Sequence, residues 1–579
     1  MFSIDMTNYQ GLLQRLRDFV NSEFATQHAN LERQWALPLG ERVARGYAIE
    51  GLKVENIIKQ TIRLSCQANE SRFREGDFLV LHRGNPIGIE AMQVLVEYDD
   101  ETLLEVSLQG GNPFFLQQYS DGWIADESMM DLRRFHLDAL DEVADTINGR
   151  ETILPMLNGD RIPHLNLARY ERIQKEIMQN GLNSSQNEAV AQAYATDLYH
   201  LIQGPPGTGK TFVLANLVRL LIADGQRVLV TALTHRAINN ALNKIYEIDL
   251  ALPVCKIGID SRTSDLQVRN YENFVNSGFG DLLGGYAVGA TPFALRSNRL
   301  SGVEFDVVIF DESSQVTLPL AIMGMLAGKK YIFIGDENQL PPVTSLKSTG
   351  VWNTSVFGYL SGRGAETMLT TTYRMNDVLA YWPNREFYNN LLTPDEDTAN
   401  RRLNLSETNG IWYHVLDPEF PAVFLDLQHR GNTNRSQKEA DTIVELIEAL
   451  LHAKVPAMEI GIVVPYRAQG RAIRNLLRQV LPNEEIAREI VVDTVERMQG
   501  QEREVILVSL TTSSAGFASQ IAEFFFQPQR LNVAITRPRT KLIIVGSSVV
   551  LEAKPADTNH QNWVELLRSL LENCLTVTI

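Results

Sequence analysis

Apolar residues recur three and four apart at the start of the chain. Leu12, Leu13, Leu16, Phe19 and Val20, within 8–22, form the stripe of an amphipathic helix. A second stretch, 129–148, repeats the pattern with Leu132, Phe135, Leu140, Val143 and Ile147. Between them the period shortens. Phe78–Leu81, Gly88–Tyr98 and Leu103–Leu108 are β-type runs cut by Gly, Pro, Asn and Asp, which predicts a small β-barrel carried on helices. From about residue 182 buried-type strands alternate with helical stretches. Arg227–Thr231, Val307–Phe310 and Tyr331–Ile334 come first. Val423–Leu427, Ile460–Val464, Val505–Ser509 and Leu542–Val545 form a second set beginning near 361. A helix over 436–453 places Ala440, Ile443, Val444, Ile447, Leu450 and Leu451 on one face. This is the pattern of two successive parallel-sheet α/β domains, in which loops at the carboxyl ends of the strands carry the chemistry. The expected divisions are an N-terminal helical region 1–50, a barrel 51–128, stalk helices 129–181, and α/β domains 182–360 and 361–579.

Composition changes this picture little. With 44% hydrophobic and 21% charged residues, the chain reads as ordinary globular protein. No apolar run approaches the ~18 residues of a membrane span, and Met1–Gln10 lacks the apolar core of a signal peptide. Cys66, Cys255 and Cys574 lie far apart without a C-x-x-C pair, which excludes a zinc ribbon or disulfide framework. A cytoplasmic or otherwise intracellular setting away from membranes is expected. The net charge of −17 argues against a general electrostatic grip on nucleic acid, although a locally basic channel would suffice. Charge alone would favour a metabolic ATPase.

The motifs reverse that preference. Gly204-Pro205-Pro206-Gly207-Thr208-Gly209-Lys210-Thr211 spells the phosphate-binding P-loop, between an apolar run ending at Ile202 and a helical stretch over 211–223. Its glycines let backbone N–H groups turn toward phosphates at a helix N-terminus. Lys210 would reach the β- and γ-phosphates, and the Thr211 hydroxyl would ligate Mg²⁺. Val307–Phe310 ends in Asp311 and Glu312, placed for Mg²⁺ ligation and for orienting or deprotonating the attacking water. A guanine reader N-K-x-D is missing, since Asn243-Lys244-Ile245-Tyr246 lacks the Asp, so ATP is the expected nucleotide.

At this point the residues resemble a family, the superfamily 1 helicases. Asp311-Glu312-Ser313-Ser314-Gln315 resembles their motif II, and Gly335 to Pro342 their motif III. Thr372-Tyr373-Arg374-Met375 is similar to motif IV, Asp493-Thr494 with Gln499-Gly500-Gln501-Glu502 to motif V, and Arg530 to Arg537 to motif VI. Leu182-Asn183-Ser184-Ser185-Gln186 looks like the adenine-reading Q motif. The D-E-x-x-Q and Y-R-M wording, with a barrel ahead of the first core domain, resembles the 5′→3′ branch that includes the nonsense-mediated-decay RNA helicase. The likeness covers about 182–546. It implies two tandem RecA-like P-loop domains preceded by the helical stalk and small barrel. It also implies that Gln186 reads adenine, Tyr373 stacks on it and Glu502 holds the ribose. Arg374 and Arg537 would reach the γ-phosphate as arginine fingers, and Gln339 would couple that phosphate to the strand-binding face.

Thr234, His235, Arg236, Thr291, Pro465, Tyr466 and Thr494 stand at the family's strand-contact positions, where contacts would go to phosphates and not to bases. Three departures bear on that geometry. Thr234-His235 replaces the usual Ser-Asn, Pro538 follows the motif VI arginine in place of a small residue, and Asn376-Asp377 replaces His-Pro. Phe524-Phe525-Phe526 is expected in the core. The implied activity is an ATP-driven 5′→3′ translocase on single-stranded DNA or RNA. The alternative is a nucleotide-gated clamp or remodelling subunit that binds a partner protein and does not unwind. A monomeric core is expected.

Overall fold

The computed structural model describes residues 7–579, apart from 59–60, 68, 70, 74–75, 100–101, 178–180, 260–262, 264, 301, 347–353 and 407–409. Among the described residues, three main β-systems organise the chain: a closed antiparallel barrel and two parallel sheets.

The first helix, Thr7–Trp35, runs well past the expected 8–22 and is about 43 Å long at 1.5 Å per residue. Leu12, Leu13 and Leu16 are buried against Leu140 and Val143 of the helix Arg133–Asp145, within the core of the first α/β domain. Arg17 donates to Asp141 at 2.7 Å, and the Trp35 indole donates to the Glu127 carbonyl at 3.0 Å, fixing the helix to the barrel. Ile147 departs from its expected place. The helix stops at Asp145, Thr146 is extended, and Ile147 is exposed.

The barrel orders its strands 48–58, 61–65, 103–110, 92–99, 78–82 and 123–127, the last closing on the first. Met92, Val94 and Val96 point inward while alternate positions face out, the period expected of a strand with one buried face. Trp123 and Phe73 fill the interior. Asp126, itself buried, accepts from Arg42 and lies 2.7 Å from His82 Nε2.

The first α/β sheet runs 269–271, 254–257, 286–289, 227–231, 307–310, 330–335, 199–203 and 366–368, with every pair parallel. Its edge strand Glu366–Met368 lies beyond the expected division at 360, because it pairs with Leu201–Gln203. Val307–Phe310 is buried along its whole length, as a central parallel strand covered by helices on both faces must be. The second sheet runs 491–494, 460–464, 503–509, 538–546, 422–426 and 575–578, again parallel throughout. Helix Gln437–His452 covers one face, burying Ala440, Ile443, Val444, Ile447 and Leu450.

Candidate functional site: a cleft between two parallel sheets

Strand Tyr199–Gln203 delivers the chain into the loop 204–209, and helix Lys210–Ala223 leaves it. That helix is apolar on nearly every side because the sheet and neighbouring helices enclose it. Gly204 donates its N–H to the Gly335 carbonyl at 2.8 Å, tying the loop to the adjacent strand. Lys210 folds back over its own loop, with Nζ donating to Gly204 O at 2.6 Å. The Thr208 hydroxyl donates to Pro205 O at 2.8 Å.

The second domain lies directly on this loop. Tyr373 N–H donates to Gly207 O at 2.8 Å, and Thr372 Oγ1 to Pro206 O at 2.9 Å. Gly207 has φ +74, and a Cβ there would lie 2.4 Å from Arg374 Cβ. Backbone conformation and close approach therefore both require glycine.

Gln186 is buried inside a capping box with Asn183. Its Oε1 accepts from Asn183 N at 3.0 Å and its Nε2 donates to Thr208 O at 2.9 Å. An amide has two donors and two lone pairs, so one of each remains for an adenine edge. Tyr373 is 40% exposed, and its hydroxyl accepts from Asn183 Nδ2 at 2.8 Å, which ties it to the cap that holds Gln186.

Asp311 and Glu312 leave strand Val307–Phe310 at its carboxyl end. Asp311 is buried and accepts from the Glu312 N–H at 3.0 Å. Burial, reinforced by the Glu312 carboxylate, raises its carboxyl to about 7, against the pull of Lys210. Glu312 takes a left-handed conformation, φ 49 and ψ 39, which costs a non-glycine residue roughly 1–2 kcal/mol. Such strain is concentrated at working sites. Gln499 of the second domain donates to Glu312 Oε2 at 3.2 Å, so the strained carboxylate faces across the cleft.

A buried polar hub, which the motifs alone do not single out, lies behind these groups. Asp336 accepts from Gln203 Nε2 at 2.6 Å, Gln339 Nε2 at 2.7 Å and the Tyr388 hydroxyl at 2.9 Å. Burial raises its pKa above the ordinary carboxylate range. Asn532, in motif VI, donates to both Tyr388 Oη and the Asn338 carbonyl at 2.8 Å. Gln339 is thus held by Asp336, and the chain of bonds runs from the P-loop strand into the second domain. In the sequence Asp336 is only one acid within motif III; its role needs the partners that tertiary folding brings.

Arg374 donates Nε to Glu502 Oε2 at 2.7 Å and Nη1 to Thr536 O at 3.0 Å. Burial works to raise the Glu502 pKa, but Arg374 and Arg539 outweigh it and hold the carboxyl below its usual range. Arg537 is 1% exposed. Its donors meet neutral oxygens: Val533 O at 2.9 Å, Thr536 Oγ1 at 3.2 Å and Gln501 O at 3.4 Å. Burial, with Arg374 close by, lowers it to about 9. A buried guanidinium next to another guanidinium is a site arranged to receive an anion.

The expected strand-contact residues stand at the carboxyl ends of strands in each of the two sheets. Thr234 follows strand 227–231, Thr291 follows 286–289, Pro465 and Tyr466 follow 460–464, and Thr494 ends 491–494. The Thr234 and Thr291 side chains cap helices, accepting from Ala237 N and Ala294 N at 3.2 and 3.3 Å. Arg236, the second residue of the first of these helices, is exposed, and His235, its first, is half-buried. Tyr466 shares a hydrogen bond with Thr512 at 2.9 Å, and burial pushes its pKa up to about 12. Phe526 is buried as expected, but Phe524 is not a core residue. It is 39% exposed, 5.9 Å from the Tyr466 ring, and Arg530 lies over its face at 4.0 Å.

Two family models, both described as AAA domain, match residues 181–377 and 352–549. The chain is 26% identical over 452 residues to the DNA replication ATP-dependent helicase/nuclease DNA2 of Saccharomyces cerevisiae, covering 72% of this chain and 29% of that protein. To the Mus musculus DNA2 it is 30% identical, covering 67% and 40%. It is 27% identical to the DNA polymerase alpha-associated DNA helicase A of Schizosaccharomyces pombe, covering 69% and 67%. The chain thus spans 29% to 40% of the length of the DNA2 proteins named here. Among solved structures, the Arterivirus nonstructural protein 10 (helicase) aligns with TM-score 0.39 at 12% identity, covering 90% of this chain and 83% of that one. The relatives and the ordered motifs across both sheets agree: the chain carries two AAA domains and is similar, across both of them, to ATP-dependent helicases of superfamily 1, branch 1B.

Proposed function

We propose that the chain is an ATP-driven motor that moves 5′→3′ along a single nucleic-acid strand, DNA by preference, and separates duplexes or displaces bound protein. The observation that carries this reading is the pair of buried guanidiniums, Arg374 and Arg537, presented by one sheet domain beside the P-loop of the other. Several relatives are named as DNA helicases, which supports DNA over RNA.

On ATP binding, Lys210 exchanges the Gly204 carbonyl for phosphate oxygens. Gln186 and Tyr373 hold the base, and Arg374 and Arg537 take up the γ-phosphate. Water attacks the γ-phosphorus, Glu312 accepts its proton, and the bond to the ADP oxygen breaks. The arginines stabilise the charge that spreads over the transferring group. Glu502, bonded to Arg374, acts as a positioning residue as well as a ribose acceptor.

Thr211 and Asp311 fit a magnesium ion. The Asp311 carboxyl is buried and its anion disfavoured, a condition a divalent cation relieves. Among the described residues no group of three or more His, Cys, Asp or Glu forms a metal site, so phosphate and water would complete the shell. The ion would neutralise phosphate charge. Loss of the γ-phosphate releases the arginines and lets the cleft open, so the grip on the strand alternates.

The test is ATP turnover with and without single-stranded DNA and RNA. Stimulation by strand, greater with DNA, is expected. Turnover indifferent to both would overturn the proposal, and stimulation without unwinding of any tailed duplex would move the reading to a clamp.

A further inference from the structure

We propose that Glu23, on the long first helix and outside every motif, is a positioning residue for the motor. Its carboxylate clamps the loop that follows motif III, and through that loop it keeps Gln339 in place between nucleotide and strand. The inference rests on the strand-motor reading and adds to it a residue that no motif contains.

Leu12, Leu13 and Leu16 anchor helix Thr7–Trp35 in the core of the first α/β domain, and Glu23 lies two turns beyond Leu16. Both of its carboxylate oxygens turn to main chain more than three hundred positions away. Oε1 accepts from Ser345 N at 2.7 Å and Oε2 from Leu346 N at 2.9 Å. Gln27, the next turn along, donates to Oε1 at 2.8 Å and so orients the carboxylate. Hydrogen bonds from two successive N–H groups to one anion are charge-assisted, and they fix direction as well as distance. On either side of Glu23 the helix is held to its neighbour Arg133–Asp145. Arg17 donates to Asp141 at 2.7 Å, and Arg133 lies over the Phe24 ring at 3.7 Å. The clamp buries no apolar group, so what it provides is position.

The clamped residues are the far end of a loop whose near end is Gln339. Gln339 donates to Asp336 at 2.7 Å within the buried hub. Leu340 is 9% exposed and packs in the core of the second α/β domain with Met375, Leu379 and Val533. Pro341 and Pro342 follow; with φ fixed near about −65° they stiffen the loop, which therefore carries a pull from one end to the other. The loop 339–346 thus touches three bodies: the hub, the core of the second domain and the first helix. When the second domain moves, it pulls on Leu340. Because Glu23 holds the far end, that pull turns Gln339 in place and does not drag the loop away with the second domain.

The test measures ATP turnover of the full chain at saturating ATP, with and without a single-stranded oligothymidine. The ratio of the two is the stimulation factor, which inactive molecules leave unchanged. Glu23→Gln keeps the side chain's length, but its NH2 group meets one of the two backbone N–H groups. In this variant the factor should fall about fivefold, while strand-free turnover and KM for ATP stay within about twofold of the wild type. Glu23→Ala should lower the factor as far or further. Arg17→Ala, which cuts a different tie of the same helix, should keep it. An unchanged factor in Glu23→Gln, or an equal loss of both turnovers, overturns the clamp while leaving the motor intact. A fall in Arg17→Ala as large as in Glu23→Gln assigns the effect to the helix at large and also overturns the clamp. A wild type whose turnover is indifferent to the strand overturns the motor itself.

Discussion

Arg537 packs beside Arg374 with its donors on neutral oxygens, and burial brings it down to about 9. Folding spends free energy to hold that charge ready, so its return comes where negative charge develops. Arg537→Lys and Arg374→Ala should each lower kcat by about 10³-fold or more while changing ATP affinity only a few-fold. Lysine does not rescue Arg537, because a point charge cannot reproduce the planar fork. Loss of ATP affinity with turnover intact at saturation would make that arginine a binding residue. Glu312→Gln provides the complementary case. The amide keeps the side-chain shape, so ATP binding should persist while turnover is lost. Lys210→Ala should remove hydrolysis, since water cannot replace the ammonium in a closed site. Normal hydrolysis in E312Q, measured by phosphate release, would sink the assignment of the base.

At the scale of elements, long apolar runs bounded by polar loops were legible. Val307–Phe310, Ile460–Val464 and the helix over 436–453 lie where their patterns place them, because central parallel strands and their covering helices cannot be polar. Strands 48–58 and 123–127 were not legible. The first carries Glu, Lys and Asn among few buried positions, with register shifts near Val54 and Ile49 that break its alternation, and the second is only five residues long and buried at four successive positions, so it does not alternate. The candidate catalytic acids and arginines stand out in motifs, whereas the Asp336–Tyr388–Asn532 hub arises only from tertiary contact.

Lys330 is a further product of folding, opening a central strand with Nζ donating to Tyr194 O at 2.6 Å. Burial, with Arg169 adding to it, lowers its ammonium to about 7 from 10.5. Between those values the unfolded chain binds a proton that the native state has released. Stability therefore rises with pH through that window and is lost as pH falls toward 7. Urea unfolding at pH 7 and pH 9 should show a smaller gain for Lys330→Met than for the wild type. Equal gains would place the lysine charged in the native state.

Across the whole molecule, the proposed nucleotide site lies where the two α/β domains touch. Gln499 reaches Glu312, Tyr388 reaches Asp336, Asn532 reaches the Asn338 carbonyl, and Thr372 to Arg374 rest on the P-loop. Under the proposed function, a change at the γ-phosphate would be felt in both domains at once. The barrel is joined to the first domain by the long helix and held against the second by Arg467 and Arg471, so it too senses their relative position. In the proposed motor, direction would follow from which domain tightens first on the strand, and the resemblance to branch 1B sets the expectation of 5′→3′ travel. A duplex with a 5′ single-stranded tail should be opened in an ATP-dependent assay, and the same duplex with a 3′ tail left largely intact. Base sequence of the tail should matter little, because the residues proposed to face the strand offer hydroxyls, backbone amides and an arginine suited to phosphates. Raising the salt should slow opening by weakening strand capture, since counterions displaced from the phosphates gain less entropy in a more concentrated solution. Opening from 3′ tails alone, with 5′ tails bound but untouched, would reverse the order in which the two domains grip and overturn the direction proposed here.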